Sequence, residues 1–199
     1  MRKCNFSTIP ESIAFMLKSF FSEFQKIRIK SVNKSNNHQK INPVNSFYQA
    51  KIRAPFAVLG IRTEEDWLTE IDYLPLNTSL KTPITSLARE VCAQLEAYLT
   101  DPRYTFDLSL HINGTAHQRR VWEKIQQIPC GQTCSYAEIA TKIHSAPRAV
   151  GRACGANKIP IVIPCHRIIA KNGGLGGFMN TREGEPLEIK RWLLQHESI

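Results

Sequence analysis

The stretch from Ser135 to Asn157 leaves this chain little conformational choice. SYAE at 135–138 is a capping box, in which a serine hydroxyl and a glutamate carboxylate take up backbone N–H groups that a helix leaves unpaired at its start. Tyr136, Ile139, Ala140 and Ile143 then fall on one side of the helix it opens. A turn at HSA follows, and Pro147 stands where a first helical residue is expected, since its missing N–H would go unpaired there anyway. PRAVGRACGAN carries Ala149, Val150, Ala153 and Cys154 inward and sends Arg148 and Arg152 to another face. Two short helices joined by a tight turn make either a plain helical hairpin or a helix-turn-helix whose second helix reads DNA. Arg148 lies in the first turn, where the macrodipole disfavours a cation, so an external anion explains it better than packing does. Gly151 and Gly155 leave room for close approach, by a ligand or by a neighbouring helix.

Charge points the same way. The 199 residues carry 26 Lys plus Arg against 17 Asp plus Glu, a formal +9 that suits a polyanionic partner such as nucleic acid or acidic headgroups. A hydrophobic share of 42% is ordinary for a globular chain and excludes wholesale disorder. The apolar run IAFMLKSFF is broken by Lys18, so it reaches neither the length of a spanning helix nor a secretory h-region. No membrane partner is expected, and a cytoplasmic location is. Six cysteines, at 4, 92, 130, 134, 154 and 165, are expected as free thiols. Cys130, Cys134 and His144 raise the question of zinc, but the helix signal at Ser135 makes a closed cage hard to complete, and no metal is expected.

Three segments follow from the pattern. Residues 1–45 are rich in Lys, Asn and Ser, with a short helix suggested near Ile13 to Phe24, and read as a basic, flexible extension. Residues 46–112 read as an α/β unit. In it YQAKIRAPFAVLGI and LTEIDYLP form a small antiparallel sheet, and ITSLAREVCAQLEAYL a helix with a stripe of Leu87, Val91, Leu95 and Leu99, stopped by Asp101 and Pro102. Residues 113–199 read as mainly helical. Thr115 is a candidate N-cap for a helix burying Val121, Trp122, Ile125 and Ile128 before Pro129.

The chemical signal is IVIPCHRII. A β-branched apolar run implies a short buried strand feeding Cys165, with His166 and Arg167 beside it. A thiol with an ordinary pKa near 8.5 needs a base or positive potential to become a nucleophile, and an imidazole and a guanidinium are candidates; a buried inert cysteine beside a satisfied histidine is the alternative. Neighbours on a strand point to opposite faces, so His166 reaches Cys165 only if the backbone bends, which Pro164 permits, or if a water bridges them. Phasing PLEIKRWLLQHE at about 100° per residue puts Leu187, Ile189, Trp192, Leu193 and Leu194 in one arc, with Glu197 inside it. An inward carboxylate needs a partner, and His166 suits; the alternative is a frayed last turn.

IPCHRII, preceded by SYAEIA and RAVGRACGAN and followed by GGLGGF and IKRWLLQHE, resembles the O6-alkylguanine-DNA alkyltransferase family over about His117 to Glu197. KIRAPFAVLGI with LTEIDYLP resembles, more loosely, the ribonuclease-H-like α/β domain of its standalone bacterial members. The resemblance implies a single-use repair protein, needing no cofactor and acting as a monomer. Such a protein flips an alkylated guanine, or an O4-alkylated thymine, out of the duplex and moves the alkyl group irreversibly onto its own cysteine. It implies Cys165 as acceptor, His166 as base acting through a water, Glu197 as the residue orienting it, Tyr136 as donor to the extruded base, and Asn157 as the tie between helix-turn-helix and active-site turn. It implies that the second helix lies in the minor groove with Arg148 entering the base stack, and that Pro160, Gly176, Phe178 and Met179 border an alkyl pocket. Arg152, Gly151 and the helix starts at Thr115, Ser135 and Pro147 are the expected backbone contacts, salt-sensitive and without sequence preference.

Some features depart from that family. MNTREGEPLEI at 179–189 is longer than the expected loop, Phe178 stands where some relatives have tyrosine, and Lys158 follows Asn157 where proline is common, adding a phosphate contact or only surface charge. No four-cysteine zinc module is seen, so phosphotriester repair is not expected. Three rivals differ in what they leave unexplained. An alkyltransferase-like lesion binder lacks the cysteine, a cysteine hydrolase has no use for the arginine-bearing helices, and a transcription regulator has none for the thiol and inward glutamate.

Overall fold

The computed structural model describes residues 48–198, so the reading of 1–45 and the thiol of Cys4 lie outside the described residues. The chain opens with β1 (Ala50–Arg53), β2 (Val58–Glu64) and β3 (Trp67–Leu74), an antiparallel meander in the order β1-β2-β3. Arg62 pairs with Glu70 and Thr63 with Leu68, which leaves Thr69 as an extra residue on β3. That bulge explains why Leu68 and Ile71, three apart, are both buried where simple alternation would separate them. Gly60, in the centre of β2, has no room for a side chain: a Cβ there would come within 2.6 Å of the Tyr48 ring. Bridges at Lys51–Lys81 and Leu68–Leu110 extend the sheet on both edges.

Helix α1 (Ser86–Thr100) starts at Thr85, whose side chain accepts from the Ala88 N–H, and ends at Asp101. Its buried face is Ala88, Val91, Cys92, Gln94, Leu95 and Tyr98. The expected stripe is thus rotated. Val91 and Leu95 are central, while Leu87 and Leu99 lie at its margins, because a 3.6-residue period drifts off a strict spacing of four.

The remainder is helical. α2 (Ala116–Gln126) begins with a capping box between Thr115 and Gln118, and Trp122 donates its ring N–H to the Ala153 carbonyl at 2.9 Å. A two-residue strand β4 (Cys134–Ser135) leads into α3 (Tyr136–Lys142), capped reciprocally by Ser135 and Glu138, and α4 (Pro147–Gly155) follows with Pro at its start. α5 (Glu185–His196) closes the chain. The sheet-and-helix part and the helical part share one continuous apolar cluster. Polar links cross between them: Ile71 N–H to the Lys158 carbonyl at 2.9 Å, and the Lys158 ammonium to Glu70 at 2.7 Å. Lys158 is therefore an inter-unit tie, which corrects its reading as a phosphate contact or mere surface charge. No helix among the described residues is long and apolar enough to cross a membrane.

Candidate active site

The run before Cys165 is not the strand that its composition suggests. Ile159, Ile161 and Ile163 are buried, but residues 159–164 form turns, and Ile161 sits at φ +72°, a strained setting for a β-branched residue. Pro160 and Pro164 remove the donors a strand would need, and Asn157 supplies substitutes: its side-chain oxygen accepts from Ile159 N–H at 3.0 Å and its amide donates to the Ile163 carbonyl at 2.9 Å. Strand pairing is confined to β5 (Ile168–Ile169), parallel to β4. Between them Cys165–Arg167 make one 3₁₀ turn, the bend that Pro164 allows.

This turn brings the chemical groups together. Cys165 is 4% exposed, and its sulfur accepts from the Asn157 amide at 3.2 Å. Burial pushes the thiol well up, the neighbouring Cys154 thiol adds to this, and the Asn157 amide and Lys190 ammonium pull the other way. His166, 1% exposed, bonds through Nε2 to Glu197 Oε1 at 2.8 Å. Glu197 is 3% exposed, so its last turn is packed rather than frayed. It also accepts from Arg167 Nε at 2.8 Å, from Arg167 Nη2 at 2.9 Å and from the Tyr98 hydroxyl at 2.8 Å. Burial would raise its carboxyl, but the bonds from His166 and Arg167 outweigh that and hold it down to about 2. Burial also lowers His166, against the pull of Glu197. The arrangement is an ionised carboxylate holding a neutral imidazole. A carboxylate only accepts, so Nε2 carries the proton and Nδ1 keeps an open lone pair. Arg167 does not serve the thiol: its guanidinium is divided between Glu197 and the Ile128 carbonyl.

Tyr136, at the start of α3, donates to the Gly177 carbonyl at 3.0 Å, and burial pushes its hydroxyl up to about 12. Gly176 is at φ +69°, and a Cβ on it would meet the Tyr136 ring at 2.8 Å, so only glycine fits. Phe178 is buried and Pro160 too, while Met179 is exposed. The longer 179–189 loop is anchored by Asn180, whose amide donates to the Gly155 carbonyl at 2.9 Å. Arg148 and Arg152 are exposed and make no hydrogen bond or ion pair with the described residues. Gly151 lies beside the Tyr136 ring, 3.8 Å from its would-be Cβ, an ordinary contact distance at which a small side chain would fit. Thr115 is exposed; Ser135 is buried, its hydroxyl and N–H both engaged by Glu138.

Three groups escaped the sequence reading. Lys190 is fully buried and donates to the carbonyls of Ile168, Leu175 and Gly177 at 2.5, 2.6 and 3.1 Å; burial lowers it to about 8. The phasing that selected Glu197 places Lys190 in the same arc, so the signal was available. Tyr98 lies beside the expected Leu87, Val91, Leu95 and Leu99 stripe of α1, and no local pattern marks its hydroxyl. Tyr73 has a buried hydroxyl without a hydrogen-bond partner among the described residues, and burial, with Cys165 nearby, raises it; no pattern in the chain marks it.

Residues 116–199 match the model of the 6-O-methylguanine DNA methyltransferase DNA-binding domain. A methylated-DNA–protein-cysteine methyltransferase of Methanosarcina mazei is 38% identical over 75% of this chain and 96% of its own. The family is thereby settled. The chain belongs to the methylated-DNA–protein-cysteine methyltransferases. Direct repair of methylated DNA, by transfer of the methyl group to a cysteine of the protein, comes with that membership. Another methyltransferase of the family, the constitutive one of Bacillus subtilis, is 39% identical over 69% of this chain and 80% of its own. The fold is that of the Mycobacterium tuberculosis O6-methylguanine methyltransferase, whose crystal structure aligns at a TM-score of 0.63 with 35% identity over 74% of this chain and 90% of that one. The same mycobacterial protein solved in complex with DNA aligns at 0.64, with 36% identity over 74% of this chain and 91% of that one.

Proposed function

We propose that Cys165 is the acceptor, and that it takes an alkyl group once and irreversibly from O6-alkylguanine in duplex DNA, and from O4-alkylthymine as a second substrate. The observation that carries this reading is the turn itself: a buried thiol held by Asn157, followed directly by an imidazole locked to an ionised Glu197. A thiol raised by burial rests protonated, so the reaction begins with transfer of its proton toward Nδ1 of His166 through a bridging water. As the thiolate forms, the Asn157 amide and the Lys190 charge stabilise it. The sulfur–carbon bond forms while the carbon–O6 bond breaks, and the electron pair leaves on the purine. Tyr136 is protonated before the reaction, exchanges the Gly177 carbonyl for the extruded base, and gives the purine its proton as the electron pair arrives, so that guanine leaves neutral; the proton taken up by His166 remains to restore the phenol. The thioether has no easy hydrolysis, so each molecule acts once.

An O6-alkyl carbon is out of reach inside paired DNA, so the base must leave the stack at a cost of a few kcal/mol. The α3–α4 pair acts as the helix-turn-helix, with α4 in the minor groove and Arg148 filling the space the base vacates. The protein works as a monomer. Its N-terminal unit, residues 46–112, is ribonuclease-H-like, for which three antiparallel strands followed by a helix are the support, and 113–199 is the DNA-binding and acceptor unit. The test is stoichiometry: duplex carrying isotopically labelled O6-methylguanine should transfer one methyl per protein molecule and then stop. Repeated turnover, as a hydrolase would give, would contradict the reading.

A further inference from the structure

Two polar-tipped residues, Gln94 and Tyr98, lie on the buried face of α1; Gln94 is paired with the Asp107 backbone nearby, whereas Tyr98 reaches across to the end of α5. The other neighbours of Tyr98 there are Val91 and Leu95, which need only apolar surroundings, whereas the hydroxyl of a phenol 1% exposed is costly to leave unpaired. The ring packs against Phe106 and edge-on to His196. Phenylalanine would fill that space equally. The hydroxyl instead reaches Glu197 Oε1 at 2.8 Å, the oxygen that also accepts from His166 Nε2. The backbone carbonyl of Tyr98 takes a further bond from His196 Nε2 at 2.8 Å, so the last turns of α1 and α5 are clasped at this residue by side chain and main chain together. Burial and the adjacent carboxylate raise the phenol, which therefore remains a donor.

We propose that Tyr98, a residue of the sheet-and-helix unit, is a positioning residue for methyl transfer: its hydroxyl fixes the Glu197 carboxylate and moderates its hold on His166. This rests on the assignment of Cys165 and His166 above. The charged and titratable groups facing the imidazole are Glu197 and Lys190 from α5, Arg167 from its own turn, Cys165 beside it, and Tyr98 from α1 through Glu197. Of these, only Tyr98 donates to the carboxylate without carrying charge. A donor on Oε1 draws on the basicity that would otherwise stabilise a protonated imidazole. Without the hydroxyl, Glu197 holds the His166 N–H more strongly, the imidazolium is favoured, and neutral His166 is reached only at higher pH.

The experiment uses the full chain with Tyr98→Phe, and Phe106→Leu as a packing control that leaves the hydroxyl in place. Single-turnover methyl transfer is followed against pH, and the His166 ring is titrated by nitrogen NMR. Tyr98→Phe should move the acidic limb of the rate profile and the His166 titration upward together by about one pH unit, and lower the plateau rate about fivefold, with binding to methylated duplex unchanged. Phe106→Leu should lower thermal stability and leave both titrations in place. Unmoved titrations in Tyr98→Phe, or equal shifts in both variants, would overturn the inference. A wild-type chain that moves no methyl to Cys165 would defeat the functional reading instead, and the NMR titration would still decide what Tyr98 does to His166.

Discussion

The inner and outer sides of α4 and its following turn are in opposite states. On the inner side polar groups are engaged with one another: Asn157 holds Ile159, Ile163 and Cys165, and Glu197 collects bonds from His166, Arg167 and Tyr98, with Nδ1 of His166 left open toward the thiol's proton. On the outer side Arg148 and Arg152 project from the same helix without a partner among the described residues. The contrast separates two tasks. Groups that must meet a reacting carbon are preorganised in the unliganded protein, since desolvated charges are tolerable only when paired. On the function proposed above, the outer arginines stay hydrated and uncompensated, and their charge favours a polyanion such as DNA.

Cutting that division at its sharpest point, Cys165→Ala should abolish methyl transfer altogether while leaving affinity for methylated duplex within about twofold, since the DNA-facing side is untouched; gel-shift and transfer assays on one preparation check both. Next in size, Glu197→Ala strands the Arg167 charge and frees the imidazole, and should cost about 3–5 kcal/mol of stability in urea unfolding, together with transfer. Acid does the same gradually. The folded-state carboxyl of Glu197 lies near 2 against the usual 4.5, so its contribution is fully present above about pH 4.5 and is lost as pH falls toward 2; unfolding midpoints across that window should decline, and should decline less in Glu197→Gln, where the lowered carboxyls of Glu138 and Asp101 still titrate. Arg148→Ala should slow transfer from duplex about 10-fold to 100-fold, the scale of a few kcal/mol for extrusion, and leave reaction with the free modified base unchanged. Equal losses in both assays would deny Arg148 its place on the outer side. Arg152→Ala should weaken binding only a few-fold and make the salt dependence shallower by about one unit of slope.

How much of this the chain declared in advance depended on whether a local rule governed it. The capping box at Ser135, the proline at the start of α4 and the inward phase of Glu197 are short-range features, and they appear in the structure where the residues place them. The apolar run at 159–163 misled because composition favours a strand there, while prolines and an asparagine side chain outside the run decide the backbone. Lys158 misled for a similar reason: an exposed-looking cation after the helix takes its meaning from Glu70, a residue far away in the chain. Tyr98 was illegible on principle, since nothing near it in sequence indicates that its hydroxyl meets a carboxylate 99 residues further on. Long-range polar partners carry no period.

The central claim concerns which sulfur is consumed. Cys154 lies close enough to raise the Cys165 thiol, so location matters as much as stoichiometry. Lys158 offers a tryptic cut between the two, and mass spectrometry of the digested protein after reaction with O6-methylguanine duplex separates them. The account predicts one added methyl on the peptide carrying Cys165 and none elsewhere. A methyl on the Cys154 peptide, or an unmodified Cys165 after the DNA has lost its lesion, would contradict it.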